Sequence, residues 1–176
     1  MPRLLACLFL LLAAAPAFAQ RPIYVGLTDK GLDRVAGVSV TLWRYDWDGV
    51  ADEDVRLGQV RGLALGLPLT SVGELSGVGM GLFGVVSRSD ITGWASGGVA
   101  VVANEDIRGM SFGGLATVAG GNFTGLGVGG LALVGGESLK GMGFGGLAVV
   151  GGEDVRGGFA GGLGVIAGGD FDGIGA

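Results

Sequence analysis

The side chains that could do chemistry in this chain are almost all carboxylates. One group lies in a short acidic stretch and comprises Asp46, Asp48, Asp52, Glu53 and Asp54. Two such carboxylates could act as general acid and base, or several could hold a cation. A stretch of this kind between apolar segments is usually a solvated surface loop, and that is the interpretation we favour.

A second group of carboxylates recurs at intervals of about sixteen residues, which would stack them along one corner of a repeating fold. Its members are Glu105, Asp106, Glu137, Glu153, Asp154, Asp170 and Asp172. Calcium-binding β-rolls also carry Gly-Gly-x-Asp segments, but they need a nine-residue repeat. Here Asn122 and Ser138 interrupt the column, and Arg108, Lys140 and Arg156 offset its charge. We therefore predict a solvated polar corner and no metal site.

Other catalytic residue types are scarce. The chain has no histidine, and its one cysteine is Cys7. General acid–base chemistry near neutral pH usually depends on histidine, and zinc sites usually need histidine or cysteine. Gly-x-Gly spacings are frequent, but no Lys-Ser/Thr pair follows them as in a phosphate-binding loop. We predict no catalytic residues, no cofactor and no small-molecule substrate, so the chain is not expected to be an enzyme.

The charge balance argues against a nucleic-acid partner. The chain carries 11 Lys and Arg against 16 Asp and Glu, a net charge of −5, and has no basic cluster. Affinity for nucleic acids depends mainly on cations that neutralise phosphates.

Residues 1–19 have the pattern of a secretory signal peptide. Arg3 gives a positive start, an apolar run follows, and Ala17-Phe18-Ala19 matches a cleavage site before Gln20. The segment around Cys7 also resembles a lipoprotein signal, but the apolar run continues beyond that residue, so cleavage after Ala19 is favoured. No later stretch is apolar for long enough to predict a membrane-spanning helix.

The rest of the chain divides into two segments. Residues 20–58 contain a short strand at 23–25, a degenerate first repeat at 35–43 and the acidic loop. Residues 59–176 form an array whose regular units are sixteen residues long and begin at Glu74, Asp90, Asp106, Asn122, Ser138 and Asp154, with a partial unit at Asp170. Whether Ala176 is the true C-terminus stays open.

Each unit predicts two short strands. We number its residues 1 to 16: position 1 is mostly polar, position 2 large and apolar, and positions 4 and 8 glycine. Two apolar arms separated by glycines favour strands, since several glycines per unit would destabilise a helix. Identical short units stack on one another. The predicted fold class is all-β, a glycine-rich β-solenoid with about sixteen residues per coil; the alternative is an antiparallel transmembrane β-barrel.

Strand alternation assigns faces to these positions. Because uniform columns suit a stacked interior, positions 2, 4, 6, 11 and 13 are predicted inside, and positions 5, 7, 10 and 12 outside. Trp94, Met110, Phe112 and Phe144 would then form an exposed surface for contact with a partner, together with Leu115, Leu131 and Leu147. The alternative is that these apolar side chains form the core.

The repeat motif resembles that of the bacterial "surface repeat-containing" protein family. Matching stretches are residues 60–69 and every unit from Glu74 to Gly169, with the position-4 glycine and the Gly-Gly-Leu-Ala/Gly-Val close. Here the Asn before the glycine in the family motif is replaced by Ser, Thr, Arg or Lys. The resemblance implies export to the cell envelope or surface, and it implies no activity.

These observations lead to three functional hypotheses. The first is an exported, non-enzymatic surface protein of a bacterium, located at the cell surface, the outer membrane or in the periplasm, with a flat β-surface for adhesion, self-association or membrane contact. The second is an outer-membrane barrel that acts as pore or anchor. The third is an enzyme that uses Asp46, Asp48 and Asp52.

Overall fold

The fold is that of a computed structural model, which describes residues 21–26, 34–42 and 58–176. The predicted signal peptide, Cys7 and the acidic loop between residues 43 and 57 lie outside the described residues. All regular structure in the described residues is β-strand. The predicted all-β class is confirmed.

Two parallel sheets contain all the described strands. The larger sheet, the first sheet, has ten strands in the order β1-β2-β3-β5-β7-β9-β11-β13-β15-β17. Their bounds are Arg21–Gly26, Arg34–Leu42, Gln59–Leu67, Glu74–Gly81, Ile91–Gly97, Ile107–Gly113, Phe123–Gly129, Leu139–Gly145, Val155–Gly161 and Phe171–Gly175. The second sheet has seven strands, in the order β16-β14-β12-β10-β8-β6-β4. From β4 to β16 these are Leu69–Val72, Gly84–Ser87, Ala100–Ala103, Ala116–Ala119, Ala132–Gly135, Ala148–Gly151 and Gly164–Ala167.

Successive repeats stack in register as coils of a β-solenoid. Phe123 pairs with Ile107 on one side and with Leu139 on the other, so each residue lies beside its equivalents sixteen residues away. Every pairing between described strands is parallel, as a coil requires. The solenoid is therefore confirmed. The antiparallel barrel is wrong, because its neighbouring strands would run in opposite directions.

The first coils deviate slightly from the repeat. Strand β2 pairs with β3 in the alignment that the degenerate repeat predicts, with Val35 opposite Val60. Gln59 pairs with Glu74, so this coil has fifteen residues. Seven coils contribute a strand to both sheets, from β3 and β4 to β15 and β16.

The core lies between the two sheets and consists of aligned columns. Position 2 supplies the largest side chains, all fully buried: Leu75, Ile91, Ile107, Phe123, Leu139 and Val155. Position 6 lies on the same inner face and has small residues, as predicted, and Phe159 is its one large member in the described coils. Columns of this kind bury apolar area only when coils stack, so stability depends on the neighbouring coils.

The predicted faces of the second arm are wrong by one residue. Positions 12 and 14 point inward, where Val85, Val101, Leu133 and Val149 are fully buried, whereas positions 11 and 13 point outward. At position 12, Leu133 fills space that the glycine at position 6 leaves open. A Cβ added to Gly127 would lie 2.7 Å from both the Leu133 and the Phe123 side chains. Position 12 is therefore part of the packed interior, and position 11, which is alanine or glycine, is on the outer side.

The glycine at position 4 forms a continuous row along the first sheet. These glycines have φ between +119° and +149°, a region that side chains with a Cβ rarely adopt. A Cβ on Gly125 would lie 1.9 Å from the carbonyl oxygen of Gly109 in the preceding coil. The row needs glycine for two reasons, backbone conformation and close contact between coils.

We expect Ser111→Ala to stabilise the protein by about 1 kcal/mol. The Ser111 hydroxyl is buried at position 6 and has no hydrogen-bond partner among the described residues, and Ala95 occupies the same position one coil earlier. Chemical denaturation would measure the change. The control is Thr117→Val, since the buried Thr117 hydroxyl donates to the Val128 carbonyl at 2.8 Å. Thr117→Val should therefore lower the free energy of unfolding. A lower free energy of unfolding in Ser111→Ala would contradict the prediction.

Candidate partner-contact surface

The outer face of the first sheet carries all four residues predicted to contact a partner. Trp94 and Met110 stand at position 5, and Phe112 and Phe144 at position 7. Trp94, Met110 and Phe144 are 42%, 43% and 49% exposed, and Phe112 is partly buried. They are therefore not core residues, although they are large and apolar. We call this outer face the sheet face. It comprises positions 3, 5 and 7 of the eight strands of the first sheet from β3 to β17.

The parallel register aligns these side chains into two apolar rows. Along position 5, Trp94, Met110, Leu126 and Met142 are consecutive partners. Along position 7, Phe112 is followed by Val128 and Phe144. The Trp94 and Phe112 rings lie edge to face with centroids 6.3 Å apart. Edge-to-face contacts stabilise pairs of aromatic rings, so this contact joins the two rows.

A polar row borders the two apolar rows on the same face. Position 3 runs through Arg61, Ser76, Thr92, Arg108, Thr124, Lys140, Arg156 and Asp172. Positions 5 and 7 contain no charged residue from β3 to β17. An uncharged aromatic and methionine centre with arginine at its margin is typical of a protein interface.

The corner between the two sheets extends the apolar surface. Leu115, Leu131 and Leu147 at position 10 are 48%, 46% and 48% exposed, as their predicted outward position requires. They lie on the corner and not on the sheet face. Near the first coils, an apolar depression of about 380 Å³ is lined by Val40, Thr41, Leu65, Gly66, Leu67, Met80, Gly81, Leu82 and Ser96. None of these nine residues is ionisable, so the depression offers no acid–base group.

The opposite corner holds the repeated carboxylates in a hydrogen-bonded ladder. The Asp90 carboxylate accepts a bond from the Asp106 amide at 3.0 Å, and Asp106 accepts one from the Asn122 amide at 2.7 Å. The Ser138 hydroxyl continues the ladder by donating to the Asn122 side chain. No cluster of three metal-ligating side chains occurs in the part of the chain that the structure describes. The carboxylates here join neighbouring coils.

Asp106 shows how this ladder affects ionisation. The hydrogen bond from the Asn122 backbone amide lowers the pKa of the Asp106 carboxyl, and burial opposes that shift only in part. The Asn122 side chain also favours the charged form of Asp106. So does Arg108, whose Nη2 lies 2.6 Å from Asp106 Oδ2. The carboxylate therefore stabilises the stacked coils more when it is ionised.

We expect Asp106→Ala to destabilise the protein by about 1–2 kcal/mol near neutral pH. Because the folded-state pKa of Asp106 is lowered, this contribution is complete above the unfolded pKa of about 4 and is lost as pH falls through the folded value. Denaturation of both proteins between about pH 2 and pH 7 would show their difference shrinking in acid. Arg108→Ala is the control. Its side chain is 59% exposed, so the change should cost less than about 0.5 kcal/mol. A pH-independent difference for Asp106→Ala would contradict the prediction.

The described residues contain no helix that is long and apolar enough to span a membrane. No family model matches this chain, and no curated protein or solved structure matches it either.

Proposed function

We propose that this chain is an exported, non-enzymatic repeat protein of the bacterial envelope that presents the sheet face to a partner. The alternatives for that partner are an adhesion target, a second copy or a membrane surface. The observation that carries the proposal is the pair of aligned, partly exposed apolar rows on one parallel sheet. Exposed apolar areas of this kind usually mark interaction sites.

Three further observations support the proposal. The first nineteen residues have the pattern of a signal peptide. The chain has no histidine, and its single cysteine lies within that segment. The carboxylates at positions 1 and 16 lie on the opposite corner, where those of position 1 join neighbouring coils. Together they favour a structural role over a catalytic one.

Expression of the full chain in a bacterium with two membranes tests the proposal. The mature protein should begin at Gln20 by mass spectrometry and should be found outside the cytoplasm. Protease added to intact cells would show whether it is at the surface. Ala19→Arg, which breaks the small-residue cleavage pattern, should retain the leader. A chain that keeps residues 1–19 and stays in the cytoplasm would overturn the proposal, and a lipidated N-terminus at Cys7 would overturn cleavage after Ala19.

A further inference from the structure

We propose that the partner of the sheet face is a second copy of this chain, packed face to face with both solenoid axes pointing the same way. This inference rests on the proposed function, because it names what the presented surface binds. It depends on the size of the face, on the residues at its centre and on the order of charges along position 3.

The size of the sheet face suits a specific dimer. Eight strands, β3 to β17, cross it. At a strand spacing of about 4.8 Å and a rise of about 3.3 Å per residue, the eight strands and the five residues of positions 3 to 7 cover roughly 38 by 17 Å. Two such faces would bury about 1,300 Å², near the lower end of the range for specific protein interfaces.

The centre of the face has the side chains that contribute most to protein interfaces. Trp94, Met110 and Met142 follow the midline at position 5 and are 42%, 43% and 62% exposed. Aromatic residues and methionine are enriched at interface centres, and charged residues are depleted there. A two-fold axis parallel to the solenoid axis would place each midline side chain opposite its own copy.

The charge order selects this arrangement. With the axis parallel to the solenoid, position 3 of each coil faces position 7 of the same coil in the partner. Arg108 would then face Phe112, and Lys140 would face Phe144, which are favourable cation–aromatic pairs. In the coil with Thr92 at position 3, position 7 is Ser96, so a polar residue faces a polar one.

The opposite orientation would bring like charges together. If the two solenoids ran antiparallel, position 3 would face position 3 with the coil order reversed. Centred on Thr124, that arrangement places Arg108 opposite Lys140. Like charges facing each other across an interface are unfavourable. The sequence of position 3 thus favours parallel solenoids.

Sedimentation velocity of the purified chain, without lipid or detergent, tests the proposal. We expect a monomer–dimer equilibrium at micromolar concentration. Trp94→Lys should raise the dimer dissociation constant at least about 30-fold, since it puts a charge at the midline. Met142→Lys is a second midline variant, at a more exposed side chain. Leu115→Lys, on the corner and 48% exposed, is the matched control and should leave the constant within about threefold.

Arg108→Ala determines the orientation. In the parallel dimer it removes a cation–aromatic contact and weakens association about two- to fivefold. A double-mutant cycle with Phe112→Ala isolates that contact, because Arg108 and Phe112 are four positions apart on one extended strand and do not touch within one copy. If Arg108→Ala strengthens the dimer, the parallel arrangement is wrong.

Three other results would overturn the proposal. The first is a chain that stays monomeric up to about 100 µM. The second is a dimer whose dissociation constant changes in neither Trp94→Lys nor Met142→Lys. The third is a chain that stays monomeric but sediments with phosphatidylcholine vesicles. The last result would identify a lipid surface as the occupant. None of these results bears on whether the chain is exported, so a failure here is distinguishable from a failure of the proposed function.

Discussion

Gly125→Ala is expected to lower the free energy of unfolding by about 3–5 kcal/mol, or to prevent folding. Two costs combine at this position. The backbone has φ +135°, which alanine adopts only with strain, and the new Cβ would lie 1.9 Å from the Gly109 carbonyl oxygen. The clash is with backbone, so neighbouring coils would have to separate. Chemical denaturation followed by circular dichroism would measure the loss.

Two other glycines separate these costs. Gly164→Ala tests the backbone conformation alone, since φ is +144° and nothing lies within 4 Å of the added Cβ. We expect a loss of about 1–2 kcal/mol. Gly158→Ala has neither problem, because its nearest contact would be Met142 Cγ at 3.8 Å. It should be neutral or slightly stabilising. Equal effects in all three variants would show that the row of position-4 glycines has no special role.

Phe123→Ala is expected to destabilise the protein by about 3–5 kcal/mol. The ring is fully buried at position 2, in the middle of the array. It fills space that Gly127 leaves open, because a Cβ there would lie 2.7 Å from the ring. Its removal creates a cavity that stacked strands on both sides prevent from collapsing. Thermal and chemical denaturation would both measure this effect.

Phe171→Ala is the matched control for this prediction. Phe171 occupies the same position 2 in strand β17, but it is 43% exposed. The same change of side chain should therefore cost less than about 1.5 kcal/mol. A cost as large as that of Phe123→Ala would mean that burial in the stacked columns is not what makes position 2 important.

Much of the architecture could be predicted from the sequence because every coil repeats the same signals. The sixteen-residue period predicted stacked parallel coils, and Phe123 does pair with its equivalents Ile107 and Leu139. In the first arm, strand alternation starts from the large residue at position 2 and places positions 2 and 6 inside and positions 3, 5 and 7 outside. Position 4 was also predicted inside, but its positive φ directs a Cβ toward the backbone of the preceding coil. That is why position 6 was correctly placed inside and Trp94 outside.

The sequence determined the period, the polar corner and the faces of the first arm apart from position 4, since these follow from patterns that every coil repeats. Only the tertiary structure decided the faces of the second arm, because alternation is lost where the chain turns at positions 9 and 10. It also showed that Leu133 occupies the space left by Gly127 and Gly143, which belong to two successive coils. The glycine requirement at position 4 likewise depends on a carbonyl in the neighbouring coil, a contact that exists only once the coils are stacked.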